Sequence, residues 1–323
     1  MISRAILAAT CAIACTATTV PARADWPDHP VRWVVPFGPG GANDLIARVA
    51  AEAVSKQLGQ PVVIDNRPGA GAIVGTGTVA RAPADGYTFL IGAAGVITNS
   101  LLIKNLPYAD ADLVPVGMIA VAPSTIVVNR GIPASNMAEF VAWAKAHGDK
   151  GITWSTAGSG STPHFVAEMF KEATGVKLTI VPYRSGSDGV NAVLSNSVSA
   201  TSEASIVVLP QIKAGLLKAI ATTYEKRISA YPSLPTTTEQ GFPSILIGHW
   251  AGLLAPRGTP EPIIQRMNAA LQAALKTSEV KDKLAQSGIE TAGGSVGDFV
   301  NFIGTERQRL GALAAKAKMS ADP

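Results

Sequence analysis

Cysteine is nearly absent from this 323-residue sequence, in which Cys11 and Cys15 are the only two. Charged residues make up only 15 % of the chain, which excludes an intrinsically disordered protein, since such proteins combine high charge with few apolar residues. Collagen-like and coiled-coil folds are also excluded, because there is no three-residue glycine period and no long heptad pattern. With 47 % apolar residues, the chain is globular, and its length suits two units of roughly 100–200 residues each.

The first 24 residues have the pattern of a secretory signal peptide. Arg4 is followed by an uncharged, small and apolar run over residues 5–20, and Ala22-Arg23-Ala24 matches the small-x-small site of a signal peptidase. We expect cleavage after residue 24, which leaves an exported chain without cysteine. Lipid attachment at Cys15 is the less favoured alternative, because the three residues before it lack the usual leucine.

Neither charge nor histidine content indicates nucleic acid, metal or cofactor binding. The basic residues are scattered and not interleaved with aromatic ones, so we expect no nucleic-acid partner. The four histidines are too dispersed for a metal site, and we expect no metal. Residues 75–80 resemble a dinucleotide-binding fingerprint, but the preceding strand ends too far upstream and no acidic residue lies near position 100. We therefore expect no cofactor.

Short β-branched runs alternate with segments of helical periodicity from Val31 onward. Residues 31–35, 62–64 and 87–91 have the pattern of buried strands, and residues 43–58 that of an amphipathic helix. This alternation predicts an α/β fold in which helices cover the faces of a parallel sheet. The pattern recurs in the middle of the chain, so we predict two α/β lobes.

The predicted lobes are connected at two points, near Pro123 and near Gly248. Pro123 separates two apolar runs, residues 114–121 and 125–128. The domain limits that follow are a signal peptide at residues 1–24, a first lobe at 25–123 plus 248–323, and a second lobe at 124–247.

Three loops rich in glycine and hydroxyl residues follow predicted strands: residues 36–44, 92–95 and 155–164. Backbone N–H groups of such loops can converge on an anion at the positive end of a helix. The alternative reading of each loop is an ordinary turn with a helix N-cap. Loops of this kind on two lobes predict a cleft that binds an anion.

A serine hydrolase is the enzymatic alternative, with a serine of residues 155–162 as nucleophile and His164 as base. The short spacing seldom allows those side chains to meet together with an orienting acid. Residues 293–297 match the G-x-S-x-G motif, but a hydrolase of that type needs a downstream histidine, and all four histidines precede Ser295. We therefore expect a protein that is not an enzyme.

Several short motifs span nearly the whole predicted mature chain in a fixed order. They are residues 26–31, 36–44, 65–71, 85–88, 158–164, 181–186, 235–236, 239–241 and 250–260. In combination they resemble the extracytoplasmic solute receptors of tripartite tricarboxylate transporters, also called Bug-type or TctC-like proteins.

The resemblance implies a two-lobed periplasmic-binding-protein-like fold of type II. Each lobe would be a mixed, mostly parallel sheet flanked by helices, and two crossover strands would join the lobes. It also implies a periplasmic monomer that captures a small organic carboxylate between its lobes and delivers it to the permease subunits of a tripartite membrane transporter. A ligand-sensing receptor for a signalling system is a further alternative.

The resemblance also implies a set of ligand-binding residues, with Phe37 against the body of the ligand and the carboxylate held by main-chain amides. They are Phe37, Gly40, Gly41, Asn43, Asp44, Ala94, Gly95, Ala157, Gly158, Gly160, Ser161, His164, Tyr183 and Glu203.

This sequence departs from the usual family pattern at three places in that set or near it. Residues 202–205, Ser-Glu-Ala-Ser, replace an aromatic-Asp-Asn run, Ser195-Asn196 replaces a Gly-Gly pair, and Asn43 replaces a threonine. Glu203 takes the place of the aspartate that meets a polar group of the ligand in many members. We hypothesise that Glu203 disfavours a second ligand carboxylate and favours an amine or hydroxyl there.

Overall fold

The computed structural model describes residues 26–147 and 150–319 of the chain. The predicted signal peptide, residues 1–24, lies outside the described residues. Within the described part, no helix has both the length and the apolar character needed to cross a membrane.

The described residues form an α/β fold in which strands and helices alternate for most of the chain. The strands are β1 Val31–Val35, β2 Val62–Asn66, β3 Thr88–Gly92, β4 Leu113–Asn129, β5 Ile152–Thr156, β6 Leu178–Pro182, β7 Ala200–Ala204, β8 Leu217–Thr222, β9 Gly248–Pro256 and β10 Glu290–Thr291. The helices are α1 Ala42–Leu58, α2 Ile73–Ala80, α3 Ala94–Leu102, α4 Met137–Lys145, α5 Thr162–Thr174, α6 Gly186–Leu194, α7 Ser205–Lys213, α8 Glu261–Lys276, α9 Ser278–Ala285 and α10 Val296–Lys316.

Each of the two lobes is built on a mixed sheet. In the first, β1 lies between β2 and β3 in parallel, and β9 runs antiparallel between β3 and β4. In the second, β5 lies between β6 and β7 in parallel, and β4 runs antiparallel to both β7 and β8. The carboxyl ends of the parallel strands lead into helices in both lobes, where ligands bind in open α/β sheets.

The long strand β4 belongs to both sheets. It pairs with β9 as far as Pro123, which lies opposite Gly248, and from Ser124 it pairs with β7. The two apolar runs on either side of Pro123 therefore belong to one strand, which passes from one sheet to the other. Proline lacks a backbone N–H, and this loss matters least where a strand exchanges one neighbour for another. The predicted lobe limits at 123/124 and 247/248 stay a prediction.

Large apolar side chains fill the core beneath both sheets. Trp33 of β1 and Phe89 of β3 are fully buried in the first lobe. In the second lobe, the rings of Trp154 and Phe170 lie 5.5 Å apart between centroids, and Phe140 of α4 packs on Phe170 at 5.3 Å. This packing fixes the starts of the helices relative to the strand ends.

The last helix, α10, packs across the strand β9 that runs from the second lobe into the first. Ser295 begins α10 with a capping box to Asp298. One turn further, Phe299 is buried against Gly252 of β9, where an added Cβ would overlap the phenylalanine ring. Gly252 is therefore required for the close approach of α10 to the strand.

We predict that Gly252→Ala lowers the free energy of unfolding by about 1–3 kcal/mol, because the added methyl group overpacks a filled core. Denaturant unfolding measures the change. The matched control is Gly304→Ala on the exposed side of α10, where nothing lies near the added Cβ. It should stabilise the protein by up to about 1 kcal/mol through helix propensity. Equal stability of the two variants would contradict the packing described for β9 and α10.

Candidate functional site

A small cavity lies between the two lobes, where the carboxyl ends of their strands meet. Its volume is about 30 Å³. It is lined by residues from loops and helix starts of both lobes: Phe37, Gly41, Ala42, Asn43, Ala93, Ala94, Gly95, Ala157, Ser161, Thr162, Pro163, Gly186, Glu203 and His249.

Four helices begin at this cavity. The first residues of α1, α3, α5 and α6, namely Ala42, Ala94, Thr162 and Gly186, all belong to its lining. The first turn of a helix leaves backbone N–H groups without intrahelical partners and carries a partial positive charge. Among the described residues that line the cavity there is no lysine or arginine. The positive potential there therefore comes from the main chain.

Three of these four helices have no side-chain cap. The N-cap residues Gly41, Ala93 and Ser161 accept no hydrogen bond from their helices through a side chain. The Ser161 hydroxyl instead donates to the carbonyl of Gly158 at 2.6 Å. An anion in the cavity could accept hydrogen bonds from these helix starts.

One acidic side chain also faces the cavity. Glu203 lies near the end of β7, is 2 % exposed, and its Oε1 accepts a hydrogen bond from the Ala204 N–H at 2.8 Å. His249, at the start of β9, is 6 % exposed, and its Nε2 lies 3.3 Å from the same Oε1. The pair thus brings together strands that belong to different sheets.

Burial keeps both members of this pair uncharged over a wide pH range. Desolvation raises the pKa of Glu203 to about 7, against the opposing effect of the Ala204 N–H. Desolvation lowers the pKa of His249 to about 3. Near pH 5 the cavity therefore holds a neutral carboxylic acid beside a neutral imidazole.

Sequence reasoning missed six of the residues that line the cavity: Ala42, Ala93, Thr162, Pro163, Gly186 and His249. Of these, His249 is the ionisable one. A lone histidine carries no motif, and its contact with Glu203 joins positions 46 residues apart in the chain. The position of His249 in the sequence could have identified it. It directly follows the predicted crossover at Gly248, which is adjacent to the cleft between the lobes.

The structure brings many of the predicted site residues together at the cavity and places others elsewhere. Those that line it are Phe37, Gly41, Asn43, Ala94, Gly95, Ala157, Ser161 and Glu203. Those that do not are Gly40, Asp44, Gly158, Gly160, His164 and Tyr183. The role of each as a ligand contact stays a prediction.

Asp44 orders the first loop from outside the cavity. Burial raises the pKa of Asp44, but hydrogen bonds from Arg48, Gly40 and Asn66 outweigh that effect and hold the pKa below its usual value. The Gly40 N–H donates to Asp44 Oδ2 at 2.9 Å, and Arg48 forms an ion pair with the carboxylate at 2.9 Å. The carboxylate therefore fixes the turn that precedes α1.

His164 similarly orders the second-lobe loop. Its Nδ1 accepts a hydrogen bond from the Gly160 N–H at 3.1 Å, and burial lowers the pKa of the ring. Within the described residues, the side chains of Ser161 and His164 share no hydrogen bond, since the Ser161 hydroxyl donates to the Gly158 carbonyl. The arrangement gives no support to a serine nucleophile activated by His164.

A larger groove of about 620 Å³ adjoins the cavity and shares Phe37 and Ala157 with it. Gly158 and Tyr183, two of the predicted residues outside the cavity, line this groove together with Arg184. The groove opens a route from the outside to the helix starts.

Main-chain contacts hold the lobes together beside the groove. The Gly38 N–H donates to the Arg184 carbonyl at 3.1 Å, and the Thr98 hydroxyl donates to the Gly160 carbonyl at 3.3 Å. A Cβ placed on Gly71 would lie 2.9 Å from the Ser159 carbonyl oxygen, and the φ of Gly71 is +59°. Only glycine allows this close approach.

We predict that Glu203→Gln changes how stability depends on pH. A carboxyl whose pKa is raised in the folded state from 4.5 to about 7 stabilises the fold fully below pH 4.5, and that contribution is lost as pH rises through 7. The free energy of unfolding of Glu203→Gln relative to wild type should therefore increase by about 3 kcal/mol between pH 4.5 and pH 8. Denaturant unfolding at several pH values checks this.

The control for this series is Glu225→Gln, since Glu225 is exposed and outside the cavity. This variant controls for the loss of a carboxylate that lies outside the cavity. A flat profile for both variants would show that Glu203 titrates as an ordinary exposed carboxyl.

Comparison with known proteins agrees with the fold. Residues 46–319 match the family model described as the tripartite tricarboxylate transporter family receptor, TctC. The structure of the periplasmic binding protein BugD is 34 % identical, with a TM-score of 0.87 over 91 % of this chain and 99 % of that one.

Two further solved structures contain organic acids. The protein Rpa4515 of R. palustris with adipate is 34 % identical, with a TM-score of 0.88 over 92 % of this chain and 99 % of that one. MatC from Rhodopseudomonas palustris with bound malate is 29 % identical, with a TM-score of 0.85 over 89 % of this chain and 99 % of that one.

Proposed function

The chain belongs to the tripartite tricarboxylate transporter receptor family, and on that premise we propose that it captures a small organic carboxylate in the periplasm and delivers it to a tripartite membrane transporter. The carboxylate binds in the cavity between the lobes and is released chemically unchanged.

The observation that carries this proposal is the convergence of four helix starts on a cavity without lysine or arginine. Main-chain N–H groups and helix dipoles stabilise a carboxylate there. An arginine at the same place would itself have to be desolvated in the absence of ligand, which costs several kcal/mol for a buried ion. The relatives with adipate and malate support an organic acid as the ligand.

Ligand binding and lobe closure are coupled in this proposal. The lining of the cavity comes from both lobes, so a carboxylate contacts all four helix starts only when the lobes are together. The ligand therefore favours the closed arrangement by its differential affinity for it. Phe37 and Ala157, which line both the cavity and the groove, lie on the route by which the ligand enters.

We propose no catalytic step. The Ser161 hydroxyl is engaged with the Gly158 carbonyl, and His164 Nδ1 with the Gly160 N–H, so neither side chain is arranged for nucleophilic attack. In this proposal the protein binds its ligand as a monomer.

We predict that Ala157→Leu weakens carboxylate binding by about tenfold or more, because three added carbon atoms overfill a cavity of about 30 Å³. Native mass spectrometry of protein isolated from the periplasm identifies the ligand, and calorimetry measures its affinity. The control is Ala138→Leu on the exposed side of α4, which should bind as wild type does. Wild-type affinity in Ala157→Leu would place the ligand elsewhere.

Delivery to a transporter is tested in cells. A strain lacking this gene should lose uptake of the labelled ligand, and the wild-type gene should restore it, whereas the Ala157→Leu gene should not. Uptake that persists without the gene, together with a lost transcriptional response to the ligand, would favour the sensing receptor instead.

A further inference from the structure

Glu203 and His249 retain polar atoms that the protein itself does not use. The His249 Nε2 is buried and has no hydrogen-bond partner, because its 3.3 Å contact with Glu203 Oε1 lacks hydrogen-bond geometry. Among the described residues, Glu203 Oε2 is likewise without a hydrogen bond, since the Ala204 N–H donates to Oε1. Both side chains line the cavity. The pair can therefore bind a polar group of a ligand.

The position of Glu203 is fixed by its neighbours. Gly186, the first residue of α6, lies so close to Glu203 Oε2 that a Cβ there would overlap the carboxyl group. The carboxyl is thus held against the start of α6, with the Ala204 N–H on its other oxygen. A ligand in the cavity therefore cannot displace Glu203 toward the start of α6 and must bind beside its carboxyl group.

The other ionisable groups on the surrounding helices are engaged elsewhere. On α1, Asp44 is bonded to Arg48 and Asn66, and on α5, His164 accepts from the Gly160 N–H. On α6, Asp188 lines the groove rather than the cavity. His249 on β9 is the ionisable group that faces Glu203.

We infer that the Glu203–His249 pair determines ligand specificity by proton-linked binding, and this inference rests on the function proposed above. The pair accepts a hydrogen bond from a ligand hydroxyl or ammonium directly. It binds a second ligand carboxylate only when it holds one proton, and above pH 7 that proton is taken up from solvent on binding. That proton lies on the pair and forms a hydrogen bond to the ligand carboxylate.

The energetic reason is the repulsion between two carboxylates in a dry cavity. Two like charges about 4 Å apart repel strongly at low effective dielectric, whereas a protonated Glu203 donates a hydrogen bond. Burial already raises the pKa of Glu203 to about 7, so protonation near neutral pH is easily reached. A dicarboxylate is then not rejected but binds more weakly as the pH rises.

The two modes of binding are distinguished with pairs of acids of equal chain length, of which one ends in a second carboxylate and the other in a hydroxyl. The probes are succinate and 4-hydroxybutyrate, and as a longer pair adipate and 6-hydroxyhexanoate. Calorimetry of the full mature protein at pH 8 in phosphate and in Tris, which differ in ionisation enthalpy, gives the number of protons taken up. A diacid should bind with uptake of close to one proton and a hydroxy acid with none.

The affinity for a diacid should fall about tenfold between pH 6 and pH 8, because Glu203 with a pKa of about 7 loses its proton in that range. The affinity for the hydroxy acid should stay nearly constant. The affinity for the diacid falls as the pH rises because, above pH 7, the complex holds one more proton than the free protein does.

Glu203→Gln should remove both the proton uptake and the pH dependence of diacid binding, because its amide donates a hydrogen bond at every pH. Its affinity for the diacid at pH 8 should exceed that of wild type by about tenfold. His249→Gln should change the ratio of diacid to hydroxy-acid affinity several-fold, which a merely structural role would not do. The exposed control Glu225→Gln should leave all these quantities unchanged.

The outcomes separate this inference from the proposed function. Diacid binding at pH 8 without proton uptake, or an unchanged pH profile in Glu203→Gln, would overturn the inference and leave carboxylate binding intact. An absence of binding by all four acids between pH 5.5 and pH 8.5 would overturn both.

Discussion

The site depends on the attraction between an anion and the unpaired N–H groups of helix starts. Four helices begin at one cavity, and the N-cap residues of three of them make no side-chain hydrogen bond to the helix. Without a ligand, these unpaired N–H groups cost less to bury than an unpaired lysine or arginine would, because they are neutral. This arrangement also constrains the fold, since each of these helices must begin where a strand ends, on the side of its lobe that faces the other lobe.

An acidic side chain, Glu203, lies within this region of positive potential, and its burial disfavours the negative charge that the helix starts favour. Glu203 is held at the start of α6 and beside His249, and its burial favours the neutral form. The local environment therefore balances two effects: helix starts that favour negative charge and a dry cavity that disfavours it. This balance sets the protonation of the pair near neutral pH, and a ligand shifts it by its own charge.

Sequence periodicity predicted much of this architecture, because the helix at residues 43–58 and the strand at 31–35 carry strong local patterns. Glycine-rich loops predicted where an anion could bind. The contact between Glu203 and His249 could not be predicted, since it forms only when two distant strands meet. Asp44 and His164 were assigned to ligand contact, which stays a prediction, and the structure shows that each also orders its own loop. Sequence cannot separate those roles, because both require a polar residue beside a helix start.

The contact surface beside the groove is made mainly of backbone, as the approach of Gly71 to the Ser159 carbonyl illustrates. Substitutions elsewhere leave such a surface unchanged, because it contains few side chains to alter. The ligand preference that we infer, by contrast, resides in two side chains, Glu203 and His249. Relatives can therefore differ in the ligand that they bind while the proposed closure of the lobes around it stays the same.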